Sequence, residues 1–114
     1  MRTRFYIAHP VSGDVSGNVA RVLRWYRALT LSHPKRLYSI PWLPDVLAFD
    51  DANPAERAAG FERNMRHLET VEGVVLVGGR ISAGMAAEAA KARELRLNVI
   101  DLTSLGDEPP EIIP

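Results

Sequence analysis

The chain has 114 residues, 46% of them hydrophobic, enough for one buried core and too few for two ordinary domains, so residues 1–114 read as a single domain. Lys plus Arg and Asp plus Glu are equal at 14 each, which leaves no overall field to draw the protein to nucleic acid or an anionic membrane. The lack of cysteine excludes disulfides, thiolate catalysis and cysteine-bound zinc or iron–sulfur clusters.

His9, His33 and His67 show no paired-ligand spacing, so neither a metal nor another cofactor is expected. The opening MRTRFYIAHP has too short an apolar run for a secretory leader, and no stretch approaches the roughly 20 apolar residues of a membrane span. A soluble, cytoplasmic protein is expected.

In chain order, Thr3 to Ala8 (TRFYIA) predicts a first strand, stopped at His9-Pro10. Val11 to Asn18 is a turn-forming stretch in which Ser16 or Asn18 is the expected helix cap. Val19, Val22, Leu23, Tyr26, Leu29 and Thr30 then recur at helical spacing, with Arg21, Arg24 and Arg27 on another, solvated face. Lys35 to Ile40 predicts a second strand, and Trp42 to Asn53 a long loop carrying Asp50 and Asp51, of the kind that often serves function in a small domain.

Pro54 after Asn53 opens a second helix, to about Thr70, with Ala58, Phe61, Met65 and Leu68 as its apolar stripe. Gly73 to Val77 (GVVLV) is continuously apolar, as in a strand buried on both faces of a parallel sheet. The Ala-rich segment from Ala83 to Leu95 predicts a third helix, Leu97 to Leu102 a last strand, and a Pro-rich tail begins at about residue 106. This alternation predicts an α/β fold, a small three-layer Rossmann/flavodoxin-like domain with a mostly parallel sheet of 4–5 strands.

A buried strand entering a Gly-rich turn and then a helix presents backbone N–H groups and a helix dipole at the carboxyl edge of the sheet, where open α/β folds bind ligands. Gly78-Gly79-Arg80-Ile81-Ser82 fits that description, with Ser82 as the cap and phosphate or ribose as the natural guest. Gly-Gly and Ser82 are equally explained as a turn and a cap. Glu88 falls between Ala92 and Leu95 and near Met85 on the sheet-facing stripe of the third helix. It is either a functional carboxylate or the i,i+3 partner of Lys91. Tyr6, His9 and Ser12, at the end of the first strand, are carried to the same edge. Two of them also have an ordinary reading, Tyr6 as core and His9 as a satisfied loop residue. Asp50 and Asp51 are either ribose ligands or an exposed acidic turn.

With those residues in place, the chain resembles the nucleoside 2-deoxyribosyltransferases, including the deoxynucleoside 5′-monophosphate N-glycosidases and phage-type proteins of unassigned function. The resemblance rests on YIAHP at Tyr6 to Pro10 and on GVVLVGGRISAGMAAEAAKA, in which Ser82, Gly84 and Glu88 keep the family's spacing; element order agrees over most of the chain. It implies Glu88 as the nucleophile at the anomeric carbon, oriented by Tyr6. Ser82 and the neighbouring amides of Gly79, Arg80, Gly84 and Met85 would hold a 5′-phosphate or 5′-hydroxyl, with His9 and Ser12 beside them. It further implies a homodimer or larger homo-oligomer whose neighbouring subunit completes the pocket, and a nucleoside or nucleotide as the partner molecule.

Three positions depart from the family. Asn64 stands where an Asp normally contacts or protonates the base, His9 replaces a small Gly, and Ser12 stands where the monophosphate hydrolases carry a phosphate-binding Arg, a role Arg80 is placed to take. The expected activity is cleavage or transfer at the N-glycosidic bond of a 2′-deoxynucleoside or its 5′-monophosphate. The alternative is a nucleotide-binding module without chemistry, suggested by Asn64. GGRISAGMAAE also loosely resembles the phosphate loop of the phosphoribohydrolases that act on nucleoside monophosphates, but lacks its proline and threonine and differs in spacing.

Overall fold

A computed structural model describes residues 3–114. Four strands, β1 (Thr3–Ala8), β2 (Arg36–Ser39), β3 (Gly73–Leu76) and β4 (Asn98–Asp101), form one sheet in the order β2-β1-β3-β4. Every pairing is parallel, with Tyr6 opposite both Ser39 and Val74 and with Val75 opposite Ile100. The helices are α1 (Val15–Ser32), α2 (Leu43–Ala48), α3 (Pro54–Leu68) and α4 (Ala83–Glu94). This is the predicted small Rossmann/flavodoxin-like α/β domain, with four strands and no antiparallel member among the described residues.

β3 is buried along its whole length because β1 and β4 flank it and helices cover its faces, which is why GVVL has no polar residue. α3 packs on α4, α4 on β3 and β4, and α1 on β2. The right-handed crossover rule puts α1 on one face and α3 with α4 on the other. β1 and β3 are neighbours in space although β2 lies between them in sequence, so successive connections leave the sheet in opposite directions at this point. Such a switch point opens a crevice at the carboxyl ends of the strands.

Several local expectations are corrected. α1 begins at Val15, four residues before Val19, and its cap is Asp14, whose carboxylate accepts from Gly17 N at 3.2 Å. Ser16 lies inside the helix, while Asn18 is buried and donates from Nδ2 to the Val11 carbonyl at 2.8 Å. The buried stripe is Asn18, Val22, Trp25 and Leu29; Leu23 and Tyr26 face outward. Trp25 is buried because its Nε1 donates to the Asp107 carbonyl at 2.9 Å, beneath the C-terminal segment. Of the arginines, Arg21 is half-buried against Asp14 and Asn18, and Arg24 bridges to Glu108 at 2.7 Å.

The expected loop from Trp42 to Asn53 contains α2, with Pro44 and Asp45 in its first turn. α3 starts as expected, with Asn53 Oδ1 accepting from Ala55 N and Glu56 N, but it buries only Leu68 outright. The Pro-rich tail is anchored: Ile113 is buried and its N–H donates to Ser32 Oγ at 3.0 Å.

Candidate active site

The crevice at the switch point is a cleft of about 570 Å³. Its residues come from three places: the loop after β1 (His9, Ser12), the segment from α2 into α3 (among them Phe49, Phe61 and Asn64), and the turn into α4 (Arg80, Ser82, Gly84, Met85, Glu88). Of the sequence-predicted site residues, eight line this cleft. Gly79 does not; it borders an adjoining groove with Arg21 and Asp107. Tyr6 is fully buried behind the cleft, with its hydroxyl on Glu88.

The Tyr6–Glu88 pair follows from the local sequence. Alternation along β1 turns Tyr6 toward one helix layer, and a helical rise from the cap at Ser82 brings Glu88 over it. Tyr6 donates its O–H to Glu88 Oε2. Glu88 is 7% exposed, and burial pushes its carboxyl up to about 7, against the opposing pull of the Tyr6 hydrogen bond. The same burial, with the facing carboxylate, drives the Tyr6 phenol far above its ordinary value, so it stays a donor. Oε1 has no hydrogen-bond partner among the described residues. Lys91, the alternative partner of Glu88, instead reaches Glu94 at 3.9 Å. The Lys91 pairing is thus not formed, and Glu88 is a buried carboxyl at the cleft.

The turn into α4 is held by its backbone. Gly78 has φ +103°, and a Cβ there would stand 2.7 Å from Pro10 Cδ and 2.8 Å from the His9 ring. The two loops therefore meet only because residue 78 lacks a side chain. At Gly79, with φ +82°, a Cβ would likewise stand 2.9 Å from Asp107 N. Ser82 caps α4 by accepting from Met85 N at 3.2 Å, and its own N–H meets Met85 Sδ at 3.4 Å. Gly84 and the exposed Arg80 complete this side of the cleft.

His9 is 4% exposed, and its Nδ1–H donates to the Pro10 carbonyl at 2.6 Å. That bond fixes the tautomer and leaves Nε2 as an acceptor, which is buried without a partner among the described residues. Burial is the main cause that lowers the His9 pKa, opposed by the Pro10 bond and helped by Arg21 and Arg80. Asn64, on α3, likewise leaves a buried Oδ1 without a partner. Asp50 and Asp51 are exposed and line the cleft; Asp50 Oδ1 accepts from Ala52 N at 2.9 Å, so this acidic turn is both a turn and a wall.

Sequence reasoning missed the aromatic side of the cleft. Trp42 is anchored by Nε1 donating to the Ile7 carbonyl at 2.8 Å, Phe49 lies under the Arg63 guanidinium at 5.2 Å, and Arg63 pairs with Asp45 at 2.9 Å. The signal available was Pro44-Asp45, a first-turn pair that marks α2 and therefore a covered cleft. Among the described residues no group of three or more His, Cys, Asp or Glu is placed to hold a metal ion, and no helix is long and apolar enough to cross a membrane.

A comparison with curated proteins finds no match. The family described as a domain of unknown function, DUF7768, matches residues 3–102, which takes in all four strands and four helices and every residue of the cleft. On that match the chain belongs to the DUF7768 family.

Proposed function

We propose that the protein cleaves the N-glycosidic bond of a 2′-deoxynucleoside or its 5′-monophosphate, with Glu88 as nucleophile. The observation that carries this reading is the buried Tyr6–Glu88 pair at a cleft of nucleoside size, one carboxyl oxygen held and the other free. Glu88 Oε1 forms a bond to C1′ as the C1′–N bond breaks, the electron pair leaving with the base. Water then attacks C1′, the glycosyl–Glu88 bond breaks with its pair returning to the carboxylate, and the water proton passes to solvent. A free base in place of water gives deoxyribosyl transfer. Phe49 and Phe61 offer apolar faces for a planar base, while Ser82, Arg80 and the α4 N-terminus suit the 5′ end. A homo-oligomer belongs to the same proposal, since Phe49 and Phe61 are large apolar side chains that line the cleft and are exposed.

The test is base release from a panel of 2′-deoxynucleosides and their 5′-monophosphates, followed by chromatography, with and without an acceptor base. Glu88→Ala and Glu88→Gln are expected to cut release by at least about a thousandfold while the circular dichroism spectrum is kept. Unchanged release would remove Glu88 from the chemistry. A second reading, a nucleotide-binding module, draws on Asn64, a carboxamide where a proton donor to the base would stand. Stoichiometric nucleotide binding without product over long incubation would establish it.

A further inference from the structure

From the unpaired groups of the cleft we infer that its substrates are N-glycosides whose base is already positively charged, such as an N7-alkylated purine or a pyridinium. This rests on the N-glycosidic reading above and names the substrate class of the same site.

Two observations carry it. The first is the sign of what the cleft leaves unpaired. His9 Nε2 and Asn64 Oδ1, on two residues that line the cleft, are buried without a hydrogen-bond partner among the described residues, and Glu88 Oε1 accepts no hydrogen bond from them. With Asp45 neutralised by Arg63, the carboxyl groups of Asp50, Asp51, Glu56 and Glu88 stand against the guanidiniums of Arg57 and Arg80. A cleft rich in acceptors and in formal negative charge favours a guest that brings N–H donors and positive charge. The second is that, Glu88 apart, the buried polar groups at the cleft offer no acid, the carboxyls of Asp50 and Asp51 being exposed and that of Glu56 half-exposed. An uncharged base leaves as an anion unless a proton reaches it, and general-acid help contributes roughly 10²–10⁴-fold. Asn64 has no proton to give, the His9 Nδ1–H is committed to the Pro10 carbonyl, and the Tyr6 hydroxyl is committed to Glu88 behind the cleft. A cationic base needs no such proton: when C1′–N breaks, the bonding pair neutralises the ring and the base departs uncharged. Water completes the reaction at C1′ and releases one proton to solvent, so charge and atoms balance.

The experiment compares 7-methyl-2′-deoxyguanosine with 2′-deoxyguanosine at pH 7, each rate divided by that substrate's spontaneous hydrolysis. The enhancement is expected to be at least about 100-fold larger for the methylated substrate, the share a general acid would have supplied to the other. Asn64→Asp, checked for fold by circular dichroism, is expected to raise turnover of 2′-deoxyguanosine and to narrow that ratio. Equal enhancements on the two substrates, both abolished by Glu88→Gln, would overturn the inference and leave N-glycosidic cleavage standing. No release from either substrate, with wild type and Glu88→Gln alike, would overturn both.

Discussion

Glu88 lies where catalysis and stability pull in opposite directions. As the nucleophile of the proposed reaction it would have to be ionised, and burial pushes its carboxyl up to about 7, so on that proposal turnover is expected to rise with pH through neutrality. Tyr6→Phe removes the hydrogen bond that holds that value down. The acidic limb of the kcat/KM profile should therefore move to higher pH, whereas a merely structural Tyr6 would lower activity evenly across pH. For folding, Glu88 binds its proton more tightly in the native state than in the unfolded chain, where the ordinary value is 4.5. Its contribution is complete below that ordinary value and is lost as pH rises toward 7 and beyond, about 3 kcal/mol at 1.36 kcal/mol per unit. Glu88→Gln should accordingly stabilise the protein at pH 8 more than at pH 5 in urea titrations; equal effects would place the carboxyl in solvent. The helical wheel put Glu88 on the sheet-facing stripe, but it gives an angle and not a depth. The depth is set by the sheet beneath it and by α3 packed against α4, contacts between residues far apart in sequence.

At the scale of single elements, the turn into α4 was legible and the wall opposite it was not. Gly78-Gly79 and Ser82 signal their conformations through residue type alone: left-handed backbone in the first case, a side-chain cap in the second. Gly78→Ala adds strain at φ +103° and a contact with His9 and Pro10, and should cost about 1–3 kcal/mol in chemical denaturation. Ser82→Ala should cost about 1 kcal/mol, without moving β1. The start of α1 was misplaced because Asp14, Ser16 and Asn18 are all competent caps. The choice fell to Asp14 because Asn18 is drawn inward to the Val11 carbonyl. α2 escaped notice because six residues around Pro44 carry too little periodicity to register.

At the scale of the whole molecule, alternating strands and helices imply a parallel sheet, and that much the sequence carries. The order β2-β1-β3-β4, and hence the crevice between the first and third strands, depends on which way each connection turns. The segment after Leu102, which follows the family-matched residues, is fastened along α1 by the buried Ile113, by Ser32 and by a bidentate Arg24–Glu108 pair. That pair is half exposed on both sides and contributes little. Ile113→Ala, by contrast, removes a fully covered side chain and should lower stability by about 2 kcal/mol or more, read as a fall in the urea midpoint. The two indole anchors have a further consequence. Trp42 forms part of the cleft and Trp25 sits under the C-terminal segment, and these are the chain's only tryptophans. The protein thus carries two intrinsic fluorophores, one at the cleft, where a ligand of the proposed kind would change its emission, and one placed to report detachment of the last residues. Trp42→Phe and Trp25→Phe would let each event be followed by emission alone.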